Sequence, residues 1–366
     1  MRIWVFGSSI VSSYWNGAAT YYRGIYKYLA RRGHAITFAE PHAYRRQEHR
    51  DESDFSYVES VVYRPGVDVE RMVERAAEHD LVIKHSGVGV DDALLERLTS
   101  ELAEEKTCFF WDVDSPATLA RLRANAADPF YEAIPRYAGI LSYGGGPASR
   151  EGYLAFGARF YRAIYNGLDP DTHYPVKADP ELECDVAFLG NRLPDRERRV
   201  EELFLHAAEL AREQKFLLGG EGWGDKKMPA NVRWIGHVPT GDHNRVNSSA
   251  GMVMNINRES MASFGFSPPT RIFEVAGAGA CMLCDDWPGI DDCFEPEKEI
   301  LVIRSAADVV DALRMYGTEE RAEIGRAFRE RALRDHTYAQ RAAEAEAAFA
   351  QAMSERTTGQ EAIPLA

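Results

Sequence analysis

Twelve short apolar runs recur along this chain with helix-length segments between them, and that alternation constrains the fold more than any other feature. Six lie before residue 166 (3–6, 35–39, 81–84, 108–111, 139–142 and 160–165), and six lie after residue 183 (185–189, 216–218, 232–235, 252–256, 281–284 and 300–303). The runs are continuously apolar rather than alternating, as strands covered by helices on both faces are. The segments between them carry helical periodicity. Tyr22, Ile25, Tyr26 and Leu29 follow i, i+3, i+4, i+7 spacing, and the pattern stops at Arg31-Arg32-Gly33, basic residues and then a glycine. Strand, helix, strand in repetition predicts parallel pairing through right-handed crossovers. The expected fold class is therefore α/β, with two Rossmann-like, doubly wound parallel-sheet domains facing across a cleft.

Between the two series the periodicity lapses, and Pro170, Pro175 and Pro180 punctuate the chain. The expected organisation is a first domain over 1–168, a linker over 169–183, and a second domain over 184–340. A C-terminal helix and tail then follow over 341–366, with the polar residues from Ser354 onward expected to be disordered. A chain of 366 residues is long enough for two such cores. Its formal net charge of −14, from 57 acidic and 43 basic side chains, argues against duplex nucleic acid as a partner. A single basic pocket is still compatible with that balance. No run approaches the roughly 18–20 apolar residues that span a bilayer, so no integral membrane segment is expected. The start, Met1-Arg2-Ile3-Trp4-Val5-Phe6-Gly7, reads as a strand entering a turn. Five cysteines, an odd number, suggest reduced thiols and a cytoplasmic location. Cys281 and Cys284 form a Cys-x-x-Cys inside an apolar run, where two core thiols are expected rather than a metal site.

In doubly wound sheets, ligands bind beyond the carboxyl ends of the strands, and the loops there carry the candidates. Gly7-Ser8-Ser9 opens a loop of small residues that lacks the Gly-x-Gly-x-x-Gly spacing of a dinucleotide site. His85 ends one strand before Ser86-Gly87-Val88-Gly89, where an imidazole can act as a base. Asp112 and Asp114 end another; capping by an Asp before Ser115-Pro116 explains one carboxylate but not both, and Asp114 is taken as the cleft residue with no metal expected. Tyr143-Gly144-Gly145-Gly146 is a glycine loop able to approach a ligand. In the second half, Gly190-Asn191-Arg192 follows the first strand, and the planar fork of Arg192 suits a diphosphate. Arg196, Arg198 and Arg199 read as a solvated helix face. Gly236-His237-Val238 can cradle a flat base. Asn255-Ile256-Asn257-Arg258-Glu259 and Thr270-Arg271-Ile272-Phe273-Glu274 form the densest cluster, with Thr270 expected to cap a helix, Arg271 adding positive charge, and Glu274 able to accept two vicinal hydroxyls.

The Arg271–Gly279 stretch, Asp285-Asp286 and His336-Thr337-Tyr338 resemble the C-terminal domain of group 1 glycosyltransferases, and Trp111-Asp112-Val113-Asp114-Ser115-Pro116 with Ser142-Tyr143-Gly144-Gly145-Gly146 is similar to their CgeB-like (spore maturation protein) branch. That resemblance implies a GT-B fold, a nucleoside-diphosphate-sugar as donor substrate with no further cofactor, an unidentified acceptor, and no essential metal. It implies that Glu274 holds the donor ribose, that Arg192 and Arg271 meet the diphosphate, and that Gly236, His237 and Val238 meet the base. Many retaining members carry a glutamate eight positions before the ribose-binding one; here that position is Phe266, with Glu259 nearby as a substitute. Asp114 or His85 would take the acceptor proton in an inverting reaction. An epimerase of the same architecture and a non-catalytic nucleotide- or sugar-binding protein are the alternative readings.

Overall fold

The structure is a computed structural model that describes residues 1–51 and 54–361. Two compact units emerge, one made of Met1–Asn166 together with the chain from Tyr338 onward, the other of Gly167–Thr337. The first unit is built on seven strands: β1 (Arg2–Phe6), β2 (Ala35–Pro41), β3 (Glu59–Tyr63), β4 (Leu81–His85), β5 (Thr107–Asp112), β6 (Gly139–Ser142) and β7 (Tyr161–Ala163). They lie in the order β3-β2-β1-β4-β5-β6-β7, and every pairing is parallel. The second unit has β8 (Cys184–Leu189), β9 (Phe216–Gly219), β10 (Val232–Trp234), β11 (Ala250–Asn255), β12 (Met282–Asp285) and β13 (Leu301–Ile303). Their order is β10-β9-β8-β11-β12-β13, again all parallel. Each sheet reverses its winding direction once, between β1 and β4 in the first and between β8 and β11 in the second. Those reversals fix where a ligand can enter each sheet.

Sequence periodicity anticipates all of these strands except β3. Only Tyr63 of that strand is buried, because β3 is the edge that pairs with β2 alone. The strand opens on Glu59-Ser60, so its apolar part is confined to Val61-Val62-Tyr63. The central strands β1, β4 and β5 are almost wholly buried. None of the five cysteines is in a disulfide, four of them are buried, and burial pushes Cys281 up to about 12.

The C-terminal segment departs from the expected boundaries. Residues Tyr338–Glu361 form one helix, and it belongs to the first unit rather than to the second domain or a separate tail. Tyr338, Ala342, Ala345, Phe349 and Ala352 recur at four- and three-residue intervals and are buried with Ile3, Val5 and Trp111. Gly24 makes room for this docking, because a Cβ there would fall 2.4 Å from the Tyr338 ring. The residues from Ser354 are helical through Glu361, and Arg356 donates to the carbonyls of Ala103, Glu104 and Lys106 at 2.8–3.2 Å. Polar composition suggested disorder there, but the helix is held through an apolar stripe placed earlier in the sequence and through this one guanidinium. Residues 362–366 of the expected tail lie outside the described residues. Residues 170–183 contain no helix or strand, as a connecting segment should, yet Asp169 and His173 at its start are buried in the second unit. Among the described residues, no helix is long and apolar enough to cross a membrane.

Candidate functional site

In the second unit the winding reversal places the loops after β8 and β11 side by side, and arginines gather there. Most of them are neutralised. Arg192 reaches Glu197 at 2.7 Å and Asp225 at 2.8 Å. Arg199 binds Asp285 at 2.6 Å and Glu259 at 3.2 Å. Asp285, buried at the end of β12, also accepts from the backbone N–H of Asn257 and the side chain of Asn255. Burial raises the Asp285 pKa in spite of those bonds. Arg258 pairs with Asp195 at 2.8 Å. Glu259, proposed from sequence as a donor residue, is thus half of an ion pair with Arg199 at the start of helix Glu259–Phe264.

Arg196 is the exception. It makes no ion pair and no side-chain hydrogen bond among the described residues, and its Nε is buried without a partner. Its guanidinium lies against Gly190, where a Cβ would come within 2.9 Å of Nη1 and 2.8 Å of the Phe188 ring. Burial lowers the pKa of Arg196 to about 10, and repulsion from Arg271 and Arg258 adds to the shift. Asp195 and Asp285 pull the other way but do not offset burial and repulsion, and neither forms an ion pair with it among the described residues. The sequence reading assigned Arg196 to a solvated face because it sits among other charged residues in helix Pro194–Val200, and only the fold shows which of those arginines turns inward.

The second cluster centres on Glu274 in helix Thr270–Ala278, where it is 4% exposed. Arg271 Nη1 lies 2.9 Å from Glu274 Oε2, and His243 Nδ1 lies 3.2 Å from the same oxygen. No hydrogen bond reaches Oε1 among the described residues. Burial opposes the charge on Glu274, but Arg271, His243 and His173 outweigh it and hold the carboxyl well below the usual carboxylate range. His243 Nε2 meets the carbonyl of Val238 at 3.2 Å. Both nitrogens of its ring therefore face oxygen atoms, one on the Glu274 carboxylate and one on the Val238 backbone. His173 is buried beside this group, and burial lowers its pKa, with the cations His243 and Arg271 contributing and Glu274 opposing. Sequence reasoning gave Glu274 and the Gly236-His237-Val238 loop separate roles; His243 joins them. Neither His243 nor His173 sits in a periodic or motif-like context, so no local signal marks them.

Around this cluster the loop backbones are tightly specified. Gly236 has φ +73° and its carbonyl accepts from Gly220 at 2.7 Å, while His237 is exposed. Thr270 does not cap its helix: the N-cap is Pro269, without a side-chain cap, so the first-turn N–H groups have no side-chain acceptor. Just before it, Phe266 has φ +47°, and the Ser267 hydroxyl is buried without a partner.

In the first unit the candidates are differently placed. His85 is 1% exposed, packed among Tyr22, Tyr26 and Trp111, with its Nε2 bonded to the Tyr26 hydroxyl. Burial pushes its pKa down to about 3, so the ring is neutral and enclosed instead of facing a ligand. Because the unfolded histidine titrates near 6.5, the unfolded state takes up a proton that the folded state refuses between those values. Stability should therefore fall as pH drops from about 6.5 toward 3, and His85→Gln should flatten that part of the pH–stability curve. Asp114 caps helix Ser115–Ala124, accepting from Ala117 N at 3.3 Å. Asp112 is fully buried and accepts from Ser86 Oγ, the Asp114 N–H and the Tyr153 hydroxyl. Capping and this buried network account for both carboxylates. The glycine loop also packs inward, since a Cβ on Gly145 would fall 1.9 Å from Ser149 Oγ.

Residues 196–347 match the family described as glycosyl transferase-like. No curated protein matches the chain. Among solved structures, HepE of Anabaena in complex with UDP and glucose aligns with a TM-score of 0.65 at 13% identity, over 96% of this chain and 100% of that one. Sucrose-phosphate synthase from Thermosynechococcus elongatus gives a TM-score of 0.65 at 13% identity, over 97% and 100% of the two chains. The catalytic domain of starch synthase IV from Arabidopsis thaliana, bound to ADP and acarbose, gives 0.69 at 12% identity, over 96% and 99%. These likenesses establish the fold as GT-B, with two Rossmann-like units.

Proposed function

We propose that this chain is a glycosyltransferase that takes a sugar from a nucleoside-diphosphate-sugar held by its Gly167–Thr337 unit and passes it to an acceptor held by its first unit. One observation carries the reading: Arg196, whose Nε is buried without a partner and which forms no ion pair among the described residues, set near Arg271 and Arg258 at the carboxyl end of β8. A diphosphate supplies the direct partner that Arg196 does not find among the described residues, and the uncapped N-terminus of helix Thr270–Ala278 favours the same anion. In this reading Arg196, with Arg271 and Arg192, stabilises the diphosphate as it leaves, and the cations make a metal ion unnecessary. Glu274 accepts ribose hydroxyls through Oε1, and the Gly236-His237-Val238 loop faces the base. Having no bonded partner, Oε1 is the oxygen left for a ligand once Oε2 is committed to Arg271 and His243. We assign the chain to the CgeB-like branch on its Trp111–Pro116 and Ser142–Gly146 motifs, and to the cytoplasm on its odd number of cysteines, none of them in a disulfide.

The test is a thermal-shift series with UDP, GDP, dTDP, ADP and CDP, each with and without magnesium. At a hundredfold excess over its dissociation constant, the true donor nucleotide stabilises by about 2.7 kcal/mol. At roughly 2–4 °C per kcal/mol the midpoint should rise by several degrees, unchanged by magnesium. If no nucleotide shifts the midpoint, the donor site is misassigned. A shift without sugar transfer to any acceptor favours the binding-protein reading, which the phenylalanine at position 266 also supports.

A further inference from the structure

The loops that follow β1 and β2 present three aromatic rings to solvent. Trp15 is 77% exposed, Tyr44 51% and Tyr14 37%, and they are the only large apolar side chains these two loops expose among the described residues. Two of the three sit on backbone that such residues rarely adopt, with φ +47° at Trp15 and +54° at Tyr44. Strain of that kind persists only where the surroundings enforce it, and here they do. Arg46, 6% exposed, donates to the carbonyls of Ser8 at 3.1 Å and Trp15 at 3.2 Å, and its guanidinium lies 4.9 Å from the centre of the Tyr44 ring. The Tyr44 hydroxyl donates to the Gly89 carbonyl at 2.7 Å, and a Cβ on Gly89 would press within 2.8 Å of that ring. Tyr14 stacks on His49 at 4.0 Å, and Ser12 and Ser13 bond across to His49 and Asp51. Two loops are thus stitched together through a buried arginine, with Trp15 the most exposed of the three rings and Tyr14 set edge-on to it at 82°.

From this arrangement we infer that the loops after β1 and β2 form a stacking platform for the pyranose rings of a glycan, with Trp15 as its principal surface. The C–H face of a pyranose is apolar and flat while its rim is all hydroxyls. Such a ligand is met by rigid aromatic faces bordered by hydrogen-bonding groups, here Arg45, His49 and Arg50, which are exposed. A protein partner or a second copy would need a larger patch with aliphatic groups in it, and a lipid surface would need an apolar helix face. The platform lies beyond the carboxyl ends of β1 and β2, where doubly wound sheets take ligands. That the glycan is the sugar acceptor rests on the transferase reading above; that it binds here does not.

Isothermal titration of the full chain with maltohexaose, cellohexaose and chitohexaose tests the platform, with UDP-induced thermal shift measured in parallel. At least one oligosaccharide should bind saturably, and Trp15→Ala should weaken that binding tenfold or more while the UDP shift persists. Trp15 contributes little to the core, so the variant should fold; Gly89→Ala, which displaces the Tyr44 ring, should weaken binding as well. Absence of saturable binding to all three probes overturns the inference, as does equal binding by Trp15→Ala. Concentration-dependent dimerisation abolished by Trp15→Ala would overturn it too, by assigning the patch to a second copy. A glycan response with no shift by UDP, GDP, dTDP, ADP or CDP would leave the platform standing and remove the transferase reading instead.

Discussion

Glu274→Ala should destabilise the protein by about 3–5 kcal/mol, the usual cost of removing one partner from a buried charge pair. Glu274 sits almost wholly out of solvent and carries the negative charge for both Arg271 and His243. Deleting it leaves the Arg271 guanidinium without its carboxylate and His243 Nδ1 without its partner. Glu274→Gln keeps the shape and one acceptor, so its loss should be smaller, and urea denaturation followed by circular dichroism will order the three proteins. The pH dependence has a definite sign. The carboxyl is held below the usual carboxylate range by those cations, so the unfolded chain binds a proton that the folded chain does not. The stabilisation is complete above the ordinary glutamate value near 4.3 and fades as pH falls through the lower folded one; Glu274→Gln should lack that fade. A variant as stable as wild type would mean that the cluster is not a neutralised ion network. Nucleotide binding should weaken in both variants, but the stability loss means that affinity must be compared on protein shown to be folded.

What the sequence displays and what it hides follow from how far apart the interacting residues lie. Continuous apolar runs separated by helical periods are local patterns, and they disclose twelve of the thirteen strands; β3 escapes because an edge strand needs burial on one side of it only. Glu274 and Arg271 are visible because they share one helix turn within a motif. His243 and Arg196 are not, since each matters through a partner, or the lack of one, set by distant chain. Arg192 and Arg196 lie four residues apart on the same segment, and composition offers no way to tell them apart. The fold gives Arg192 two carboxylates and Arg196 none. For His85 and Asp114, what the sequence hides is their surroundings. A polar group at the carboxyl end of a strand looks like a ligand site, yet the aromatic shell of Tyr22, Tyr26 and Trp111 encloses the first and a helix N-terminus occupies the second.

Arg196→Met should move stability and affinity in opposite directions. The methionine keeps an apolar stem against Phe188 and Gly190 while deleting a charge that no carboxylate contacts directly among the described residues. The ligand-free protein should gain on the order of 1 kcal/mol, because repulsion from Arg271 and Arg258 disappears along with the unmet desolvation. Affinity for the responding nucleoside diphosphate should fall by roughly 10- to 150-fold, equivalent to the 1.5–3 kcal/mol of a hydrogen bond to a charged group. The corresponding nucleoside, which lacks phosphate, should bind as before. Arg192→Ala is the control: its guanidinium already serves Glu197 and Asp225, so the loss in diphosphate affinity should be smaller. Ordinary packing residues lose stability when truncated, and a residue kept for a ligand gains it, because the site is strained until the ligand arrives. If Arg196→Met is destabilised and binds the diphosphate unchanged, the arginine is structural and the anion site lies elsewhere in the unit.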